Sequence, residues 1–187
     1  FVKGPVWGFG EDDMQEQIVK FIKNLSFEVE ELNLGDDFNE AASSHEIIMN
    51  GSIAKSLSQY YKTEKEKLHP FTISRIEAGF PVSAKQYIES IENAKKMQQT
   101  LNKIFNKFDA IITPAAPGQA PRDLMNTGNA IFNGYWTMMG VPAISLPLLK
   151  GKDSLPIGVQ IITSWNEDFK LLKIAEYILQ ETKKLAD

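Results

Sequence analysis

The two histidines, His45 and His69, lie far apart in the chain, and neither has a second histidine four residues away to share a helix face. A paired-histidine metal site on one helix is therefore not encoded. His45 has Glu40 and Glu46 for neighbours, a pattern that reads as an acidic, solvated helix. The adjacent hydroxyls of Ser43 and Ser44 have no flanking glycines and fall within a predicted helix. A serine nucleophile needs a sharp turn or glycine-rich loop, where backbone N–H groups can hold the developing oxyanion. Neither Gly8-Phe9-Gly10 nor Gly51-Ser52 continues with the spacing of a phosphate-cradling loop. These motifs yield no catalytic residue, no metal ligand and no cofactor.

Composition narrows the choices further. With 43% apolar and 24% charged residues, the 187-residue chain can bury one sizeable core, so residues 1–187 read as a single domain or part of one. Without cysteine, neither disulfides nor a thiolate metal site can brace it. A net charge of -4 leaves no cationic excess to neutralise phosphates, which argues against a nucleic-acid partner. The longest apolar run, 141–149, contains two prolines and falls short of the ~20 residues of a membrane span. Nothing at the start resembles a signal peptide, so export is not expected. The expectation is a soluble cytoplasmic protein. Phe1-Val2-Lys3-Gly4-Pro5-Val6-Trp7 reads as a strand already under way, so an upstream segment, and with it half of an active site, is expected elsewhere.

The elements that would position a site follow from periodicity. Glu11, Asp12 and Asp13 suit a helix N-terminus, and Met14, Ile18, Phe21, Ile22 and Leu25 repeat with helical spacing. Phe27 to Leu32 alternates apolar and acidic residues as a half-exposed strand does. Asp37 with Glu40 reads as a capping box for a helix through Ile47, Ile48, Ile53, Leu57 and Tyr60. A short element spans Phe71 to Gly79. Ser83 can cap a helix whose apolar face runs Tyr87, Ile88, Ile91, Ala94, Leu101, Ile104, Phe105, with lysines on the opposite, solvated face.

Phe108 to Thr113 reads as a buried strand ending at Pro114. Ala115 to Asn126 is a loop, and Asn129 to Met139 a mostly apolar helix. Pro142 to Pro147 and Pro156 to Thr163 form a hairpin around Lys150 to Ser154. A last helix runs from Glu167 and Asp168 to Lys183 and Lys184. The class is α/β, a mixed sheet flanked by helices.

Two stretches carry a resemblance. Phe108-Asp109-Ala110-Ile111-Ile112-Thr113-Pro114 and the run from Asn126-Thr127-Gly128 through Phe132-Asn133, Trp136-Thr137 and Gly140-Val141-Pro142-Ala143-Ile144-Ser145-Leu146-Pro147, followed by Gly158-Val159-Gln160, resemble the C-terminal region of amidase-signature enzymes. Order and spacing agree over about the last 80 residues of the chain. Ser83 to Tyr87 is similar to a helix start of that family, the opening strand is similar to the one after its catalytic core, and residues 10 to 70 match in outline.

The resemblance implies the C-terminal portion of an amidase-signature fold. It also implies hydrolysis of a carbon–nitrogen amide bond through an acyl-enzyme on a Ser, cis-Ser, Lys triad. That machinery belongs to a glycine- and serine-rich segment which this sequence does not contain, so no catalytic residue is assigned. The implied partners are a small amide substrate and the remainder of the amidase chain; a homodimer is compatible with the reading, and no cofactor is implied. By carry-over, Thr127, Ala130, Ile131 and Gly134 are candidates for one wall of the acyl pocket, Gly134 leaving room for substrate, with core packing as the alternative. Pro114, Ala115 and Ala116 are candidates for a second wall. Phe132, Trp136 and Gln160 read as structural, and Asn129 stands where many relatives carry Asp. Two other readings stay open: the amidase subunit of a tRNA-dependent amidotransferase, and a non-catalytic interaction module.

Overall fold

A computed structural model describes residues 1–184. Six helices and three strands follow one another as α1 (Asp12–Asn24), α2 (Ala41–Thr63), α3 (Pro70–Gly79), α4 (Ala84–Phe105), β1 (Ile111–Pro114), α5 (Ile131–Met139), β2 (Ala143–Lys150), β3 (Pro156–Ile162) and α6 (Asp168–Lys184). The last three residues of the expected 1–187 unit lie outside the described ones, as does the Lys184 side chain.

The sheet has the order β1-β3-β2. Because β2 and β3 form the expected hairpin and β1 lies on the far side of β3, the last strand in the chain becomes the central one. Both pairings are antiparallel, with Thr113 and Ser145 each opposite Gln160. The α/β class holds, but the mixed sheet does not: the described strands pair antiparallel alone. A parallel relation survives beside them, where Phe1 N donates to Glu30 O and Phe1 O accepts from Leu32 N, while Val2 N donates to Ile112 O. The two other expected strands thus reduce to extended segments. Gly4, with φ +76°, turns the first one away, and Pro5 has no N–H to continue a ladder.

Element positions follow the periodic pattern with three adjustments. First, Asp37 does not cap α2. Phe38 is buried and locks residues 36–38 into a 3-10 turn, so the helix starts at Ala41 and Asp37 instead accepts from Thr100 Oγ1 at 2.7 Å. Second, α4 does open on a complete Ser83/Gln86 capping box, but its buried face is Ser90, Ala94, Met97, Leu101 and Ile104. Ile88 lies out of that register and is exposed. Third, Pro147 sits at a register shift of edge strand β2, where a missing N–H removes nothing from the ladder.

Helices α2 and α3 pack as an antiparallel pair, with Gly79 directly against the Asn50 carbonyl and the Ala54 methyl. His69 caps α3 by accepting from Phe71 N through Nδ1 at 3.2 Å. The main core lies between the sheet and helices α1, α4, α5 and α6, centred on Ile18, Leu101, Trp136, Met139, Val159 and Ile161. Among the described residues, no helix is long and apolar enough to cross a membrane.

Replacing Gly79 with alanine raises helix propensity by up to ~1 kcal/mol. The new methyl, however, would collide with main-chain atoms of α2 that cannot swing aside. We expect the clash to win and Gly79→Ala to lower the unfolding free energy by ~1–3 kcal/mol, read as a fall in the urea midpoint. A midpoint that rises would show that the two helices separate at little cost.

Candidate functional site

The end of β1, the following loop and the first turn of α5 form a continuous region over the centre of the sheet. Strand β3 fixes its floor. Gln160 is 5% exposed on a strand paired on both sides, and its Nε2 donates to Asn133 Oδ1 at 2.7 Å. Asn133 Nδ2 in turn donates to Ala115 O at 3.0 Å, so side chains from β3 and α5 meet the main chain just beyond β1. Ala115 N donates to Gly158 O, which extends the β1–β3 ladder by one rung.

The loop from 116 to 130 is fastened along its first half. Glu11 N donates to Pro117 O, and Ala120 N to Pro156 O. Gln119 exchanges hydrogen bonds with Asp153, and Arg122 pairs with Asp153 at 2.8 Å. That cationic and amide company holds the Asp153 carboxyl below its ordinary range, with the Gln119 hydrogen bond the largest cause.

The second half is held chiefly by its own side chains. Asp123 Oδ1 accepts from Met125 N, Asn126 Oδ1 from Gly128 N, and Asn129 Oδ1 from Ile131 N, a run of three Asx turns. Gly128 takes φ +82° within it, a conformation that suits glycine. All residues from 121 to 130 are exposed, Leu124 and Met125 almost completely.

This geometry separates the four candidate residues. Thr127 and Ala130 lie in the exposed loop ahead of α5, so their helical spacing to Gly134 does not bring them onto one helix face with it. The Asx turns hold that stretch out of the helix until Ile131, which is half-buried. Gly134 is buried, and the space beside its Cα is filled: a Cβ there would lie 2.6 Å from His45 Nδ1. The expected room for substrate at Gly134 is thus taken by the His45 ring of α2. Pro114 and Ala115 are buried too, leaving Ala116 the partly open member of the second wall. Phe132 and Trp136 are core residues, Trp136 packing on Tyr135 with ring centroids 4.6 Å apart. Ser43 is exposed on α2, and Ser44 is buried beneath Asn93.

Beneath the region lies a buried polar group. Thr113 Oγ1, Tyr135 OH, Trp136 Nε1 and Gln160 Oε1 are all enclosed without a hydrogen bond of full geometry. Burial pushes the Tyr135 phenol far above its ordinary range, although Thr113 and Trp136 lie near enough to oppose the shift. Tyr135 stays neutral. Asn133 and His45 were not singled out for a role from sequence. Asn133 carried one usable signal: a carboxamide one turn into an otherwise apolar helix must find a partner if that face is buried.

Comparison with known proteins now places this arrangement. A family model described as Amidase matches residues 16–172. This chain belongs to the amidase family. It is 31% identical over 144 residues to the glutamyl-tRNA(Gln) amidotransferase A subunit of Clostridium botulinum (strain Eklund 17B / Type B), a match covering 71% of this chain and 30% of that protein. The protein of the same name from Koribacter versatilis (strain Ellin345) is 28% identical over 138 residues, covering 67% and 29%. The chain therefore spans less than a third of the length of these curated relatives.

Among solved structures, an amidase superposes with a TM-score of 0.81 at 20% identity, over 92% of this chain and 44% of that one. An inhibitor-bound vestigial protein complex linked to an s-triazine catabolic enzyme gives 0.82 at 18% identity, over 97% and 42%. At such identities the likeness is one of fold. It accounts for nearly all of this chain and leaves more than half of each of these structures outside it.

His45 gives this part of the amidase fold a pH signature. Its pKa is lowered from 6.5, by burial first and by Arg75 as well, with Glu46 opposing. With a depressed folded-state value, the imidazole costs nothing above 6.5, and stability falls as acid protonates the unfolded chain more readily than the folded one. Urea midpoints should therefore drop between about pH 7 and pH 5, and His45→Gln should flatten that slope. An unchanged slope in the variant would assign the dependence to other groups. Gly134→Ala, which forces the ring outward, should destabilise the protein by ~1–3 kcal/mol at neutral pH in the same measurement.

Proposed function

We propose that this chain forms one flank of an amidase active site within a larger polypeptide, which hydrolyses the carbon–nitrogen bond of a small amide. In this reading the rest of the polypeptide supplies the Ser, cis-Ser, Lys triad. The serine oxygen attacks the amide carbonyl, the nitrogen leaves with a proton, and water then releases the acid from the acyl-enzyme. The observation that supports this most is the match of 92–97% of the chain to less than half of amidase-type structures, with TM-scores above 0.8. Thr127, Ala130 and Ile131 are then the side chains placed to border the substrate, with Gly134 acting through the position of His45.

The surface is suited to such a complement. A cleft of about 590 Å³ beside Phe1 is bounded on one side by Phe27 to Glu30 and on the other by Phe108 to Ile112. Since Phe1 already bonds to Glu30 and Leu32 in the parallel manner, an extended segment of the remaining chain would continue along this slot. A cysteine-free, acidic chain also suits the reducing cytoplasm, where we place the protein.

A second reading is favoured by the sequence relatives, which are named as A subunits of glutamyl-tRNA(Gln) amidotransferase. In that case the released ammonia would pass to a partner protein.

One measurement tests the division of labour and a second separates the two readings. The parent polypeptide should hydrolyse simple amides in steady-state assays, whereas residues 1–187 alone should show no turnover above buffer. Amide hydrolysis by the isolated chain would overturn the division of labour proposed here. Affinity purification of the parent protein from its own cells should yield a free enzyme under the first reading and a stoichiometric partner under the second.

A further inference from the structure

We propose that Asn133 is a positioning residue, oriented by the Ala115 carbonyl and braced by Gln160, that sets the substrate-facing end of the loop by tying the first turn of α5 to the main chain after β1. The substrate-facing part of this inference rests on the amidase reading above. The tie itself rests on geometry alone.

The direction of the relay is forced. Ala115 O can only accept, so Asn133 must present Nδ2 to it and turn Oδ1 the other way. Gln160 must then present Nε2 to that oxygen, as it does at 2.7 Å. One main-chain carbonyl thus fixes the orientation of both carboxamides, and each amide holds the next.

The placement of Gln160 is hard to explain as packing. Its neighbours Val159, Ile161 and Ile162 on β3 are apolar and fully buried. An apolar side chain would serve the core without the desolvation of a carboxamide, whose Oε1 here lacks a partner. What the carboxamide adds is a fixed donor for Asn133, on the strand with the least freedom to move.

What the relay controls is equally specific. The first half of the loop is held by Pro117, Gln119, Ala120 and Arg122, and the stretch from 123 to 130 by its own Asx turns. Those turns shape the stretch without attaching it to the scaffold. It is attached at its two ends, through Arg122 before it and through α5 after it, whose first turn begins one residue after Ala130 and is registered on the sheet by Asn133. Loosening that contact frees Thr127 and Ala130 while leaving the sheet paired.

Asn133→Leu and Gln160→Met remove the relay while nearly keeping side-chain volume, and both are to be made in the parent polypeptide. For an active parent, either variant should raise KM by about tenfold with kcat within about twofold, and the double variant should be no worse than the worse single one. Amide hydrogen exchange should quicken by at least about tenfold at residues 123–130 and stay unchanged along β3. Unchanged exchange in a folded variant, or equal acceleration on β3, overturns the proposal. An active parent whose KM does not move in either folded variant also overturns it. A parent without amidase activity that nevertheless shows the loop-specific exchange would retain the tie and discard the amidase reading.

Discussion

Strand β3 is hydrogen-bonded to β1 on one side and to β2 on the other, and Val159, Ile161 and Ile162 lose all contact with solvent. A strand enclosed on both edges and both faces has no spare register, because a slip of one residue would exchange every side chain between faces. The positions of Thr113 and Ser145 opposite Gln160 follow from that single alignment. So does the demand on α5, which crosses the same face and must bring a polar group to the one carboxamide in an apolar strand. The candidate site is thus less a collection of loop residues than a consequence of how the central strand is locked.

Helix α5 and the α2–α3 pair meet through a second close contact, between Gly134 of α5 and the His45 ring of α2. Glycine lets the imidazole approach the helix backbone, and the approach strips water from the ring. The same packing that depresses its pKa also joins α2, with α3 behind it, to the region above the sheet. Arg75 and Glu46, paired at 2.5 Å, sit at the margin of this contact and influence the ring in opposite senses.

Much of this was legible where the signal was local. The periodic face of α1, the helices α4 and α6, the hairpin of β2 and β3, and the short apolar run that becomes β1 all follow from patterns within about 20 residues. Ser83 and Gln86 announce the start of α4 by type and spacing, as found. The failures share a physical cause. Phe27 to Leu32 alternates as a strand does, but the described partner available to it is the short stretch at Phe1. Thr127 and Ala130 have helical spacing to Gly134, yet Asx turns compete for the backbone groups a helix would use. The contact of His45 with Gly134 joins residues 89 positions apart in sequence and leaves no periodic trace in either helix. The motif resemblance supplied what periodicity could not, marking the β1 end and α5 as the region of interest before their contacts were known.

The three successive Asx turns let the stretch from 123 to 131 hold its own shape, since the N–H groups of Met125, Gly128 and Ile131 are met by its own side chains. Leu124 and Met125 project from it into solvent and support nothing beneath them. Substituting these two positions therefore costs the described fold little, and the frame sets no demand on what meets them.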